Sequence, residues 1–171
     1  MQRFFRYGSY LLALGVVVII GYALAQRDEP VWVVRGNYAM EPLDFKLNHT
    51  NDPISKMLIR QRENAAEAVG EDGRTYFFND PGDLILWLKD QPVGARIKLW
   101  VYTIDTHRWI DARIAWYGIR DRTVMGYGFG AREQRCDECI SFDQMRLRML
   151  HDETLLNPVI RKRLLEDHYE H

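Results

Sequence analysis

Residues 71–89 read EDGRTYFFNDPGDLILWLK, and this stretch decides the fold class. Asp72-Gly73 lies between two β-prone runs, which is a strong short-range hairpin signal, so residues 64–78 are predicted to form a β-hairpin. Asp80 can cap a helix, and the proline that follows it suits the first helical position. A helix is therefore expected over residues 81–89.

The chain then repeats this order of elements. Residues 96–103 alternate with the period of a half-buried strand, and residues 109–117 do the same after a turn. Residues 123–130 (TVMGYGFG) carry three glycines, too many for a packed strand, so we expect a bent strand or a loop there. From residue 131 the composition is typical of a helix. Its expected core positions are Phe142, Met145 and Met149. The order hairpin, helix, hairpin, helix indicates an α+β domain with helices packed on an antiparallel sheet.

The composition excludes several classes of protein. The 171 residues include 23 Lys and Arg against 24 Asp and Glu, so no broad positive field exists and nucleic acid is not expected as a partner. Hydrophobic residues make up 47%, which is too many for a disordered chain. No P-loop, G-x-S-x-G, H-E-x-x-H or dinucleotide-binding pattern occurs, so we do not expect an enzyme.

The N-terminus carries a hydrophobic segment. Arg3 and Arg6 precede an uncharged run over residues 11–25, whose length lies between a signal-peptide core and a full membrane span. Ala23-Leu24-Ala25 matches a signal-peptidase site, whereas the flanking charges suit an uncleaved anchor. Both interpretations place the rest of the chain in the periplasm of a bacterial cell. We favour a single inner-membrane anchor over cleavage after Ala25.

Two methionines are candidates for a soft-metal site. Met57 is placed at the start of the first predicted strand and Met125 in the glycine-rich stretch, and thioethers favour Cu(I) over harder ions. Methionine also fills gaps in protein cores, so two isolated methionines are more often core residues than ligands. The pair alone does not establish a metal site.

Cys136-Asp137-Glu138-Cys139 is the other candidate. In an oxidising compartment a C-x-x-C pair is a disulfide, a redox couple or half of a metal site. No His follows Cys139, which excludes a c-type haem motif, and no second C-x-x-C completes a zinc site. The acidic residues beside the cysteines would raise the thiol pKa, which disfavours a redox couple. A local disulfide is expected.

Three sequence blocks together resemble the NosL family, the extracytoplasmic Cu(I) chaperones that serve nitrous oxide reductase. The blocks are residues 75–84 (TYFFNDPGDL), residues 109–113 (WIDAR) and Met125-Gly126. Their order and spacing match the family pattern over about residues 52–133. The resemblance implies a NosL-like fold, with Cu(I) as the cargo and Met57 and Met125 among its ligands.

The chain departs from the family at the main ligand motif. Where the family has Cys-x-x-Cys-Gly-Met, residues 52–57 read DPISKM, so both thiolate positions are lost and only Met57 stays. The family's lipoprotein cysteine is also missing, and the N-terminal hydrophobic segment takes its role. A Cu(I) site without these thiolates needs further donors. The candidates are Asp52, His49, Cys136 and Cys139.

The leading hypothesis is a membrane-anchored, periplasmic NosL-like accessory protein that delivers Cu(I) while a copper enzyme such as nitrous oxide reductase matures. Its partners would be the maturation machinery or the client enzyme. The alternative is a metal-free, membrane-tethered binding module in a periplasmic assembly complex, with an exposed aromatic contact surface. That surface would consist of Trp100, Tyr102 and Trp109.

We divide the chain into an anchor or signal peptide (1–25), a linker and irregular lead-in (26–52), a NosL-like domain (53–135) and a C-terminal helical extension (136–171).

Overall fold

The computed structural model describes residues 13–22 and 29–166. Residues 13–22 are helical and form α1, on which apolar side chains such as Val17 and Ile19 are exposed. Within the described ranges, no helix has the length and apolar character needed to cross a membrane. The signal-peptidase pattern at Ala23-Leu24-Ala25 and the arginines that precede the hydrophobic run lie outside the described residues. The choice between anchor and signal peptide therefore stays a prediction.

An antiparallel five-stranded sheet lies at the centre of the domain. Its strands are β1 (Val33–Val34), β2 (Ala66–Gly70), β3 (Thr75–Phe78), β4 (Ile97–Tyr102) and β5 (Trp109–Asp111). Their spatial order is β1-β3-β2-β4-β5. Ala66 of β2 pairs with Phe78 on one side and with Val101 on the other. The predicted hairpin is confirmed, and Gly73 in its turn has the positive φ of 75° that favours glycine.

Helix α2 (Pro81–Leu88) begins where the sequence predicts and packs on one face of this sheet. Asp80 is the N-cap residue, and its Oδ1 accepts a hydrogen bond from the Gly82 amide at 2.9 Å. Pro81 fits the first position because its missing N–H would have no partner within the helix. Leu84 and Ile85 enter the main core.

The second hairpin differs from the prediction of one strand over residues 109–117. The chain turns at Asp111, whose Oδ1 accepts from the Arg113 amide at 2.9 Å and whose carbonyl accepts from the Ile114 amide at 3.2 Å. These local bonds compete with the strand ladder and end β5. The chain then enters a three-stranded antiparallel sheet of order β7-β6-β8. Its strands are β6 (Trp116–Tyr117), β7 (Ala131–Arg132) and β8 (Ile140–Ser141).

The C-terminal helix begins later than the composition predicts. Residues 131–132 and 140–141 are strands, and α3 (Phe142–Leu150) starts at a capping box formed by Ser141 and Gln144. The predicted core positions are confirmed, since Phe142, Met145 and Met149 are buried. Helix α3 packs against α2, and α4 (Pro158–Glu166) follows it. The residues after 135 therefore contribute to the same core as the central sheet.

The five-stranded sheet has a different layer on each face. One face carries α2, α3 and the main core. The other face is crossed by residues 40–47, which we call the covering segment, and this segment places Phe45 in a smaller core. Because side chains alternate along a strand, Phe77 enters the smaller core and its neighbour Phe78 enters the main core.

Candidate functional site

Three segments meet where β3 ends and α2 begins. The turn at residues 52–57 lies against Asn79, whose amide donates to Asp52 Oδ2 at 2.8 Å. The glycine-rich loop lies against Asp80, whose Oδ2 accepts from the Met125 amide at 3.2 Å. The turn at residues 52–57 and the glycine-rich loop are far apart in sequence, but they contact the consecutive residues Asn79 and Asp80.

Asp52 builds the turn that carries Met57. Its Oδ1 accepts from the amides of Ile54 at 2.7 Å and Ser55 at 3.2 Å, and its own amide donates to the Met57 carbonyl at 3.0 Å. The side chain is fully buried. Since both carboxylate oxygens accept backbone hydrogen bonds, a metal ion at Asp52 would have to compete with the amides that hold the turn.

The two methionine segments come to the same place, but their side chains differ in exposure. The Met57 side chain is 46% exposed, and the Asn79 amide nitrogen Nδ2 donates to its carbonyl at 3.4 Å. Met125 is half-buried and packs against the main core. Gly126, with φ of 76°, turns the loop directly after it. Met57 is the accessible member of the pair.

A cavity of about 460 Å³ opens beside Met57. Arg60 and Arg122 line it, and neither forms an ion pair within the part of the chain that the structure describes. Thr123 also lines it, and its Oγ1 is buried without a hydrogen bond of good geometry. The cavity therefore combines one thioether with two positive charges that lack a counter-ion among the described residues.

Three buried carboxyl groups adjoin the same turn, namely Asp52, Asp80 and Asp83. Burial raises the pKa of Asp80 to about 6, although the nearby Thr123 hydroxyl lowers it. Burial, followed by the hydrogen bond and charge of Asp52, holds the pKa of Asp83 well above its usual range. Asp83 Oδ1 accepts from the Tyr127 hydroxyl at 3.0 Å. Asp83 is thus protonated at neutral pH, which lowers the negative charge buried at this turn.

The carboxyl cluster lacks the arrangement of a hard-metal site. In residues 13–22 and 29–166, no group of three or more His, Cys, Asp or Glu side chains could hold a metal ion. Protonation of Asp83 also lowers the negative charge that a cation would meet. The donors at this place that suit a metal are the thioethers, which are soft.

Most of the further donors predicted from the sequence are engaged elsewhere. Cys136 and Cys139 form a disulfide, which is the pairing that the sequence favours, so neither offers a thiolate in this oxidation state. Both carboxylate oxygens of Asp52 accept backbone hydrogen bonds. The carbonyl of His49 accepts from the Val31 amide at 2.7 Å, but its ring makes no hydrogen bond to any described residue. Among the described residues, none forms a hydrogen bond or an ion pair with the side chain of this candidate.

The aromatic residues predicted to form a contact surface are half-buried, which corrects the expectation of exposure. Trp100 Nε1 donates to the Met40 carbonyl at 3.1 Å. The Trp109 ring lies edge-on to Tyr102 at a centroid distance of 5.5 Å and to Phe45 at 6.3 Å. The covering segment, whose sequence is irregular, occupies the face that these side chains would otherwise present.

The chain matches no known family model, and no curated protein is significantly similar to it in sequence. The resemblance to NosL therefore rests on the three blocks quoted above. Residues 75–84 and Met125-Gly126 contribute to the candidate site. Residues 109–113 do not, because they begin in the edge strand β5, which two strands separate from β3.

Sequence reasoning missed several polar residues of the site. It assigned Asp80 to a helix cap, but it did not predict that Asp80 and Asp83 are both fully buried. A signal existed, because the NDPGD stretch lies between two strongly apolar runs that can enclose it. Arg60 and Arg122 carried no signal, since isolated arginines are common on protein surfaces.

Proposed function

We propose that this protein is a membrane-anchored, extracytoplasmic accessory protein of the NosL type. It would bind Cu(I) through Met57 and Met125 and deliver it while a copper enzyme such as nitrous oxide reductase matures. The observation that carries the proposal is the convergence of both methionine segments on Asn79 and Asp80. Thioether ligands support Cu(I) rather than a harder ion.

Such a site would bind copper weakly and exchange it readily. Two neutral thioethers supply no negative charge, so the affinity should be lower than that of a thiolate site, and Cu(II) should be held poorly. The exposure of Met57 leaves one ligand accessible to a partner protein. His49 is the third donor in this proposal, because its ring makes no hydrogen bond within the part of the chain that the structure describes.

The test is a Cu(I) titration of the full-length chain in detergent against a competing chelator. We expect binding of one equivalent that Met57→Leu and Met125→Leu each abolish, since leucine keeps the packing volume but removes the sulfur. His49→Asn should weaken the binding. Met40→Leu is the matched control, because Met40 lies in the covering segment. Binding that survives both substitutions at the site would contradict the proposal.

The cavity supports a second candidate, the metal-free binding module. Arg60 and Arg122 would repel a cation, whereas two guanidinium groups suit a carboxylate or another oxyanion. Thr123 could add a hydrogen bond from its buried hydroxyl. If this candidate is right, citrate should shift the amide resonances around Thr123, sodium chloride of equal ionic strength should not, and Arg60→Gln and Arg122→Gln should reduce the shift.

A further inference from the structure

We propose that the Cys136–Cys139 disulfide is a site of thiol–disulfide exchange, and that Cys136 is the sulfur that a partner's thiolate attacks. The two cysteines form a bond across a sequence separation of 3. The proposal uses none of the residues of the methionine site, so a failure to bind Cu(I) would not contradict it.

A purely structural role explains this disulfide poorly. In the chain-entropy account, a disulfide stabilises a fold by restricting the unfolded chain, and the effect grows with the length of the closed loop. The loop here is very short. It is also held by other bonds, since the Cys139 amide donates to the Cys136 carbonyl at 3.1 Å and Ile140 pairs with Tyr117 in the second sheet.

The two sulfurs belong to residues that differ in access. Cys136 is half-buried in a turn, whereas Cys139 is only 8% exposed. Exchange requires a thiolate to approach one sulfur and to expel the other. Because an incoming group reaches Cys136 more easily, Cys139 is the leaving group.

Positive side chains lie close to the acidic residues that flank the cysteines. Asp137 and Glu138 would raise the thiol pKa, but Glu138 forms an ion pair with Arg120. Arg135 precedes Cys136, and its guanidinium is held 4.9 Å from the centroid of the Trp116 ring. The Glu138 charge is therefore compensated by Arg120, and the residue that precedes Cys136 is itself positive, so the acidic residues oppose exchange less than the sequence suggests.

The reaction moves two electrons from a partner dithiol to this protein. One partner thiolate attacks Sγ of Cys136, which forms a mixed disulfide and breaks the Cys136–Cys139 bond, so that Cys139 leaves as a thiolate. The partner's second thiolate then attacks the partner sulfur of the mixed disulfide and releases Cys136. The partner ends as a disulfide, and the two protons that it lost are taken up by Cys136 and Cys139.

Reduced glutathione is the probe for the first step. The oxidised full-length protein in detergent is incubated with it under native conditions, quenched by alkylation and mapped by peptide mass. We expect glutathione on Cys136 and the alkyl group on Cys139. Glutathione on Cys139 would overturn the assignment, and a disulfide that resists reduction until the protein unfolds would overturn the exchange site itself.

A second measurement separates exchange from a structural role. Dithiothreitol should reduce the native protein completely while its far-UV circular dichroism stays unchanged. The double variant Cys136→Ser/Cys139→Ser should melt no more than about 8 °C below the oxidised wild type, since the chain-entropy account gives so short a loop about 2 kcal/mol of stabilisation. A much larger loss would show that the disulfide is a structural cross-link and would refute the proposal.

Discussion

Glu67 is a carboxyl buried in the middle strand of the central sheet. None of its surface is exposed, and its Oε2 accepts from the Leu43 amide at 3.0 Å, while its Oε1 has no hydrogen-bond partner in residues 13–22 and 29–166. Burial raises the pKa of Glu67 to about 8. The side chain is therefore protonated at neutral pH, and it ties the covering segment to β2 without a buried charge.

We expect the free energy of unfolding to fall as the pH rises from about 4.5 to about 8. The ordinary pKa of Glu67 is 4.5 and its folded value is about 8, so rising pH ionises the unfolded chain first and favours unfolding. Asp80, whose folded pKa is about 6, acts in the same direction. Glu67→Gln cannot ionise, and it should raise stability at pH 8 by about 1–3 kcal/mol while changing little at pH 4.5.

Urea unfolding of the wild type and of Glu67→Gln at pH 4.5 and pH 8 measures this difference. Glu71→Gln is the matched control, because the Glu71 carboxylate is exposed in the turn of the same hairpin. If the two variants have the same pH dependence of stability, Glu67 is not the group that titrates.

Asp80 caps the N-terminus of helix α2 and also binds the glycine-rich loop. Asp80 Oδ1 accepts from the Gly82 amide, and its Oδ2 accepts from the Met125 amide. The first bond starts the helix, and the second fixes the glycine-rich loop to it. The loop also approaches closely at Gly82, where an added Cβ would lie 2.3 Å from the Tyr127 ring.

Asp80→Ala should therefore lower the free energy of unfolding by about 2–4 kcal/mol, because it removes the helix cap and leaves the half-buried Met125 amide without its acceptor. Asp80→Asn keeps the capping oxygen and should lose about half as much. Denaturant unfolding compares these variants with Asp90→Ala, which removes an exposed carboxylate after the same helix. A loss no greater than that of Asp90→Ala would refute the double role.

The covering segment packs on the second face of the five-stranded sheet, and together they enclose the smaller core. Phe45 is 6% exposed and packs against Phe77 at a centroid distance of 5.3 Å. Arg62 places its guanidinium 5.6 Å from the centroid of the Phe45 ring. The segment is also held by the hydrogen bonds to Glu67 and from Trp100, by the Arg62–Asp44 ion pair, and by Leu43 and Leu47, which pack against the same core.

We expect Phe45→Ala to cost about 3–5 kcal/mol, through lost burial and the cavity that remains. The segment should also become a preferred site of limited proteolysis, and the fluorescence of the tryptophans that it covers should shift to the red. Val93→Ala is the control, because Val93 is fully exposed. Unchanged protease resistance around residues 40–47 would show that Phe45 does not hold the segment.

The sequence predictions that were wrong share a physical cause. One strand was expected over residues 109–117, but the local bonds of Asp111 end it after three residues. Trp100 and Trp109 alternate with core residues and therefore appeared exposed, but an irregular segment covers them. Alternation identifies which face a side chain occupies, and it does not reveal what packs on that face.

Local patterning was sufficient to predict the Asp72-Gly73 hairpin, the helix capped by Asp80 and the core positions of α3, because turns, caps and hydrophobic periodicity act between residues only a few positions apart. Tertiary packing was needed to bring Met57 and Met125 to Asn79 and Asp80, since contacts between distant segments depend on how the layers assemble. It also set the pKa of Glu67, because the desolvation of a carboxyl depends on everything that packs around it.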